Sequence, residues 1–275
     1  MNWTHLFDLS IGLFYFLGAL FFLGGALGNN ASLKRISACI TLAGFGLHSL
    51  DLVLKIIHSP HFAITQGQFY FSLLAWSFLL IYFLLWWRLK LQFLALTAAP
   101  LALVLFSSSM VVQTNPLPIP SQLSALWFGL HIAALFLSIS LLAMAFGAGL
   151  IYLYVDRQIK SKAKPGRFRR DIPALTAFDR VNHWAVILGF PLFTIGVLAG
   201  FLWAGFTWDT VFSWDPKEIF SLGIWFIFAY LFHQRIAVGW KGRKPAHLAT
   251  WLFVLSLVSL IIINLYIPTH HSFQP

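Results

Sequence analysis

The chain has 275 residues, of which 59% are hydrophobic and 9% charged, with a formal net charge of +10. Soluble domains carry roughly a quarter charged residues, so this deficit excludes an ordinary water-soluble globule and points to lipid as the solvent. The positives cluster in short loops between apolar runs, which excludes the usual nucleic-acid reading of a basic protein and follows the positive-inside pattern.

A helix needs about 20 apolar residues to cross a bilayer. Eight runs qualify in chain order: 6–28, 37–57, 69–87, 91–112, 123–155, 181–205, 219–240 and 248–267. The first has no basic leader and carries Asp8 near its start, so it is expected to be a retained span rather than a cleaved signal peptide. The second holds Cys39, the single cysteine. One thiol excludes an internal disulfide and dithiol chemistry, and Cys39 is expected to be a small buried apolar residue. Pro116, Pro118 and Pro120 disfavour helix between the fourth and fifth runs and predict an extended connector. The fifth run is long and is expected to tilt or to project from the membrane.

Charge orients these spans. Lys34, Arg35, Arg88, Lys90, Arg180, Arg235, Lys241, Arg243, Lys244 and the basic loop 156–171 share one side if both termini lie outside. That places 16 of the 18 Lys and Arg residues on one face, with only Lys55 and Lys217 opposite. The fold class predicted is an all-α polytopic membrane protein of about eight transmembrane helices, both termini on the outer, periplasmic side. The basic loop is expected to be solvated and mobile, with contact to anionic lipid as the lesser alternative.

The outer side then receives the segments 58–68, 113–122 and 204–218 and the tail from Pro268. Histidine is the commonest metal ligand, and the chain has ten. His131 lies near the outer end of the fifth span, and His270 and His271 just beyond the eighth. Between them in sequence runs Trp208-Asp-Thr-Val-Phe-Ser-Trp-Asp-Pro-Lys-Glu218, offering Trp208, Phe212 and Trp214, with Trp203 and Phe206 just upstream. An aromatic shelf beside two imidazoles suits a large planar metal macrocycle, although interfacial tryptophans also form aromatic belts. Asp215, Pro216 and Glu218 read as N-cap, first and third positions of a helix.

Two further histidines fall inside the hydrocarbon: His48 in the second span and His233 in the seventh. Asp51, one turn from His48, either orients that imidazole or pairs with Lys55 at i,i+4. Two intramembrane histidines invite a bis-histidine haem site, but from spacing alone helix–helix hydrogen bonding is the stronger reading. His58 and His61 offer only adventitious i,i+3 metal spacing. No nucleophile–base pair, phosphate loop or zinc signature is present.

The Trp208–Glu218 stretch resembles the tryptophan-rich "WWD" motif of CcsA/ResC-type cytochrome c assembly proteins. Gly189-Phe-Pro-Leu-Phe-Thr-Ile-Gly-Val-Leu-Ala-Gly200 resembles the family's preceding span. Tyr230-Leu-Phe-His233 and Gly239-Trp-Lys-Gly-Arg-Lys-Pro245 resemble its following span and basic turn, and His271-Ser-Phe273 its ending. Ser72-Leu-Leu-Ala-Trp76 extends the likeness toward the N-terminus. The sequence departs at Phe212, where a tryptophan is common, and at Asp209, where a glycine is common.

The resemblance implies a two-helix segment at 1–65 and a haem-handling domain at 66–275. It implies haem b at the outer face with His131 and His271 as axial ligands, the shelf of Trp208, Phe212, Trp214 and Asp215 beneath it, and His233 in a transmembrane haem site. His48 as the second intramembrane ligand follows from depth alone. The resemblance further implies a CcsB/ResB-type membrane partner and an apocytochrome c with a reduced Cys-x-x-Cys-His. The setting implied is a bacterial inner membrane, where the chain would be the CcsA-type part of a cytochrome c synthase. A haem transporter and a HemX/YpjD-like regulator or scaffold are the alternatives. Nucleic acid is not among the expected partners.

Overall fold

A computed structural model describes the backbone of residues 3–58, 67–111, 122–162 and 173–266. The expectations for the proline connector, for most of the basic loop, for His61, and for His270 and His271 lie outside the described residues.

The described residues form eight α-helices: α1 Trp3–Leu27, α2 Ala31–His58, α3 Gly67–Leu89, α4 Ala95–Val111, α5 Gln122–Lys160, α6 Leu175–Trp208, α7 Pro216–Ile236 and α8 Arg243–Tyr266. A single 3₁₀ turn, Gln92–Leu94, precedes α4. Each helix answers one predicted run. Seven of them, α1 to α7, are long and apolar enough to cross a bilayer. The protein is a multi-pass membrane protein. At 1.5 Å per residue the 39 residues of α5 reach about 58 Å, well beyond a hydrocarbon core of about 30 Å.

The chain divides into two compact units. One comprises residues 1–113 with 157–174, the other 114–156 with 175–275. In the first unit α1 packs on α2 and α4, α3 packs on α4, and α2 closes on α3, giving a ring of four helices. The α1–α2 hairpin turns at Asn29, which takes a left-handed backbone, and Asn30, whose side chain accepts from the Ser32 and Leu33 amides at 2.9 and 3.2 Å to cap α2. Small residues let the pair approach: Ser37 donates to the Gly18 carbonyl at 2.7 Å, and a Cβ on Gly44 would lie 2.7 Å from Phe14 Cβ.

His48 is the node of this ring. It is fully buried, with Nδ1 2.8 Å from the Tyr15 hydroxyl of α1 and Nε2 2.7 Å from the Ser72 hydroxyl of α3. The Phe106 ring of α4 stands edge-on to the imidazole at 4.8 Å. Thus one side chain from each of the four helices meets at His48. Asp51 does not orient this ring. It pairs with Lys55 at 2.7 Å, and Lys55 also reaches Asp8 at 3.1 Å, so the i,i+4 ion pair is the reading realised. The Ser72–Trp76 segment aims both its polar tips at α2, since Trp76 Nε1 donates to the Ser49 hydroxyl at 2.8 Å. Cys39 corrects an expectation: it is exposed on α2, because Ser37, Ala38 and Thr41 take the face that meets α1.

In the second unit α7 packs between α6 and α8. α5 lies against α8 at Gly149, where a Cβ would come within 3.0 Å of the Ala246 carbonyl, and through Phe146 on Phe253. One end is closed by Arg235, whose guanidinium is buried. It donates to the Asp179 carboxylate at 3.0 Å, the Asn182 side chain at 2.9 Å and the Trp240 carbonyl at 2.8 Å. The same carboxylate accepts from the Gly242 amide at 2.8 Å, and Gly242 sits at φ 74° against the Tyr152 hydroxyl. A basic residue read from sequence as a flanking charge is therefore a neutralised interior clamp.

Replacing His48 with Phe keeps an aromatic ring but leaves the Tyr15 and Ser72 hydroxyls without the imidazole nitrogens they bond in an apolar interior. A cost of about 2–4 kcal/mol is expected, read as a lower thermal midpoint in detergent. An unchanged midpoint would remove His48 from its role as node.

Candidate functional site

The site is built where α5 meets α6. Two glycines one turn apart, Gly196 and Gly200, notch α6 so that its backbone comes close to α5. A Cβ on Gly196 would lie 2.7 Å from Leu135 Cγ, and a Cβ on Gly200 would lie 2.5 Å from His131 Nδ1 and 2.7 Å from its Cε1. Further along the same face Ser138 donates to the Gly189 carbonyl at 2.8 Å. In an apolar medium such small-residue contacts and interhelical hydrogen bonds supply the association that hydrophobicity cannot.

In this notch His131 Nδ1 lies 2.7 Å from the Gly196 carbonyl oxygen. A carbonyl only accepts, so Nδ1 is the donor and carries the proton. In the neutral ring Nε2 then holds the lone pair a metal requires. The half-buried imidazole stacks along Trp203, with centroids 6.3 Å apart and planes 26° apart. Trp203 in turn touches Phe128 at 4.6 Å and meets Trp208 edge-on at 4.8 Å.

The Trp208–Glu218 segment follows directly. α6 ends at Trp208, and Asp209 takes φ 57°. This is the position where the resembled motif commonly carries glycine, and Asp is among the few residues that tolerate the left-handed region. The loop folds back over the last turn of α6, with Val211 against Gly205 and Phe212 edge-on to Phe201 at 5.8 Å. Phe212 also meets Trp214 at 5.1 Å. Trp214 is left-handed, φ 60°, and 76% exposed, so its indole faces away from the protein.

Asp215 is buried and caps α7. Its carboxylate accepts from the Lys217 amide at 2.8 Å, with Pro216 and Glu218 at the predicted positions. Glu218 is also buried, and its carboxylate accepts from the Ser213 amide at 2.8 Å, the Ser213 hydroxyl at 3.2 Å and the Asp215 amide at 3.3 Å. It thereby grips the backbone on both sides of Trp214.

The structure brings together His131, Trp203 and Trp208, and separately Phe212 and Trp214. His271 lies outside the described residues. His233 belongs to the second unit and is exposed on α7, whereas His48 belongs to the first and is enclosed. Sequence reasoning missed Phe128, one turn before His131 on the same face, and the loop-gripping role of Glu218. It also missed the notch, although Gly196-x-x-x-Gly200 in an apolar run is the recognised signal for close helix approach.

The family described as cytochrome C assembly protein matches residues 67–271. The chain belongs to that family. Its relatives include the cytochrome c biogenesis proteins CcsA of Guillardia theta, 28% identical over 87% of this chain and 84% of that protein, and of Prochlorococcus marinus strain MIT 9303, 28% identical over 90% and 85%. The CcsA of Microcystis aeruginosa is 45% identical over 95 residues, 34% of this chain and 29% of that protein. The family match takes in α3 to α8, the aromatic loop and the positions of His131 and His271.

Glu218→Ala should free the loop. Losing three hydrogen bonds to a carboxylate should raise amide exchange across 209–218 at least about tenfold, with Glu218→Gln intermediate because it keeps one accepting oxygen. Unaltered exchange in the alanine variant would show that the loop is held by other contacts.

Proposed function

We propose that this protein holds haem b at its outer face and presents it for covalent attachment to an apocytochrome c. The single observation that carries the reading is the His131 hydrogen bond to the Gly196 carbonyl, which leaves Nε2 as a metal-binding nitrogen on a ring that stacks along the Trp203 indole. A His-metal site ordinarily has this arrangement, in which the second ring nitrogen is tied to an acceptor. The residues present fit the macrocycle: an imidazole donor, a run of aromatic faces, and an exposed indole at Trp214.

In this reading His131 and His271 would hold the haem iron. Trp208, Phe212 and Trp214 supply flat apolar surface, and Asp215 acts through the loop by capping α7. Bound haem would supply its vinyl groups to the two thiols of a reduced Cys-x-x-Cys-His. The protein's own work would be to hold and orient the group through His131 and His271 and to keep its aromatic surface covered.

His233, exposed on α7, is proposed as a ligand of a second, intramembrane site. His48 is less suited to join it, because both ring nitrogens already hold hydroxyls and one would have to be released. A CcsB/ResB-type membrane partner and the apocytochrome are the proposed partners, the latter in keeping with relatives named for cytochrome c biogenesis. The distribution of basic residues supports both termini on the periplasmic side of a bacterial inner membrane. Residues 66–275 are proposed as the haem-handling part, with 1–65 as the segment that completes the four-helix ring around α3 and α4.

Purified protein reconstituted with haem should show a low-spin spectrum with two nitrogen ligands. His131→Gly and His271→Gly should each weaken haem retention, and added imidazole should restore the spectrum. Unchanged spectra in both variants would end the reading.

A further inference from the structure

We propose that Gly200 is a positioning residue for the haem ligand, acting through His131 by leaving the space in which its imidazole can turn Nδ1 to the Gly196 carbonyl and keep Nε2 for the metal. The inference rests on the haem reading above and names the nitrogen and the device that selects it.

The geometry is specific to this ring. A Cβ on Gly200 would lie 2.5 Å from Nδ1, 2.7 Å from Cε1 and 3.4 Å from Cγ of His131, so the clash falls on the imidazole itself. The acceptor is the carbonyl of Gly196, one turn earlier on α6. A methyl at 200 must therefore displace the imidazole from that carbonyl. Trp203 limits where the ring can go, since it flanks the imidazole at a 26° interplanar angle and is itself packed by Phe128 and Trp208. A displaced ring loses the bond that fixes its tautomer. The histidine then offers two competing nitrogens in place of one held still. Glycine at 200 thus does more than permit helix packing. It fixes which nitrogen of His131 is offered and in which direction.

Gly129 provides the contrast. It lies two residues before His131 on α5, and a Cβ added there would have nothing within 4 Å. An alanine at 129 therefore touches neither the histidine nor α6.

The test compares Gly200→Ala, His131→Gly and the double variant in full-length protein reconstituted with haem, with Gly129→Ala as control. Gly200→Ala should lower haem retention about tenfold, the scale on which outer-shell partners tune metal affinity, and added imidazole should restore the low-spin spectrum. In the His131→Gly background the alanine should change neither retention nor imidazole affinity, because the ring it would strike is gone. The apo-protein gives an independent readout: Gly200→Ala should lower the thermal midpoint, and His131→Gly should suppress that loss. If Gly200→Ala alone does not fold, recovery of folded protein in the double variant still carries the result.

Parental retention and spectrum in Gly200→Ala would overturn the inference, as would an alanine effect of equal size with and without His131. Haem retention unaffected by His131→Gly would instead sink the haem reading on which the inference stands.

Discussion

The structure depends on how closely α5 and α6 approach in a medium that gives helices no hydrophobic reason to associate. Glycine at 196 and 200 removes the side chains that would hold the two backbones apart, and the space is filled by Leu135 and His131. The imidazole then satisfies a carbonyl that its own helix leaves accessible on that face. One contact therefore packs the unit, fixes a tautomer and sets the histidine against Trp203. The aromatic loop is hung from the same helix: Trp208 touches Trp203, Phe212 touches Phe201, and Glu218 ties the far side of the loop to the start of α7.

His48 and His131 show how neighbouring helices decide which ring nitrogens are engaged. His48 has a hydroxyl at each nitrogen and a phenyl edge against its ring, so it joins four helices and has no nitrogen to spare. His131 has one nitrogen committed to a backbone acceptor, which leaves the other for coordination. Both lie within apolar runs of the sequence. The partners separate them, and those partners come from other helices.

That contrast marks how much of the protein was legible in its sequence. The eight helices were, because lipid imposes long apolar runs and their spacing needs no knowledge of contacts. The cap at Asp215, Pro216 and Glu218 was, because capping is local. Which face of a span turns inward was not: Cys39 lies outward, Arg235 is enclosed by Asp179 and Asn182, and His48 takes Tyr15 and Ser72 in place of Asp51. Each of these is set by residues on other helices. Asp209 is the intermediate case. Its departure from glycine was visible, and the backbone φ of 57° supplies the physical reason for the family's preference.

The central claim is that His131 offers iron a single, oriented nitrogen. Pulsed electron paramagnetic resonance on the ferric, haem-reconstituted protein, carrying ¹⁵N only in histidine, measures it most directly. The account predicts hyperfine couplings from two axial imidazole nitrogens, one of which disappears when His131 is replaced. Two axial couplings that persist without His131, or no histidine coupling in the unmodified protein, would contradict it.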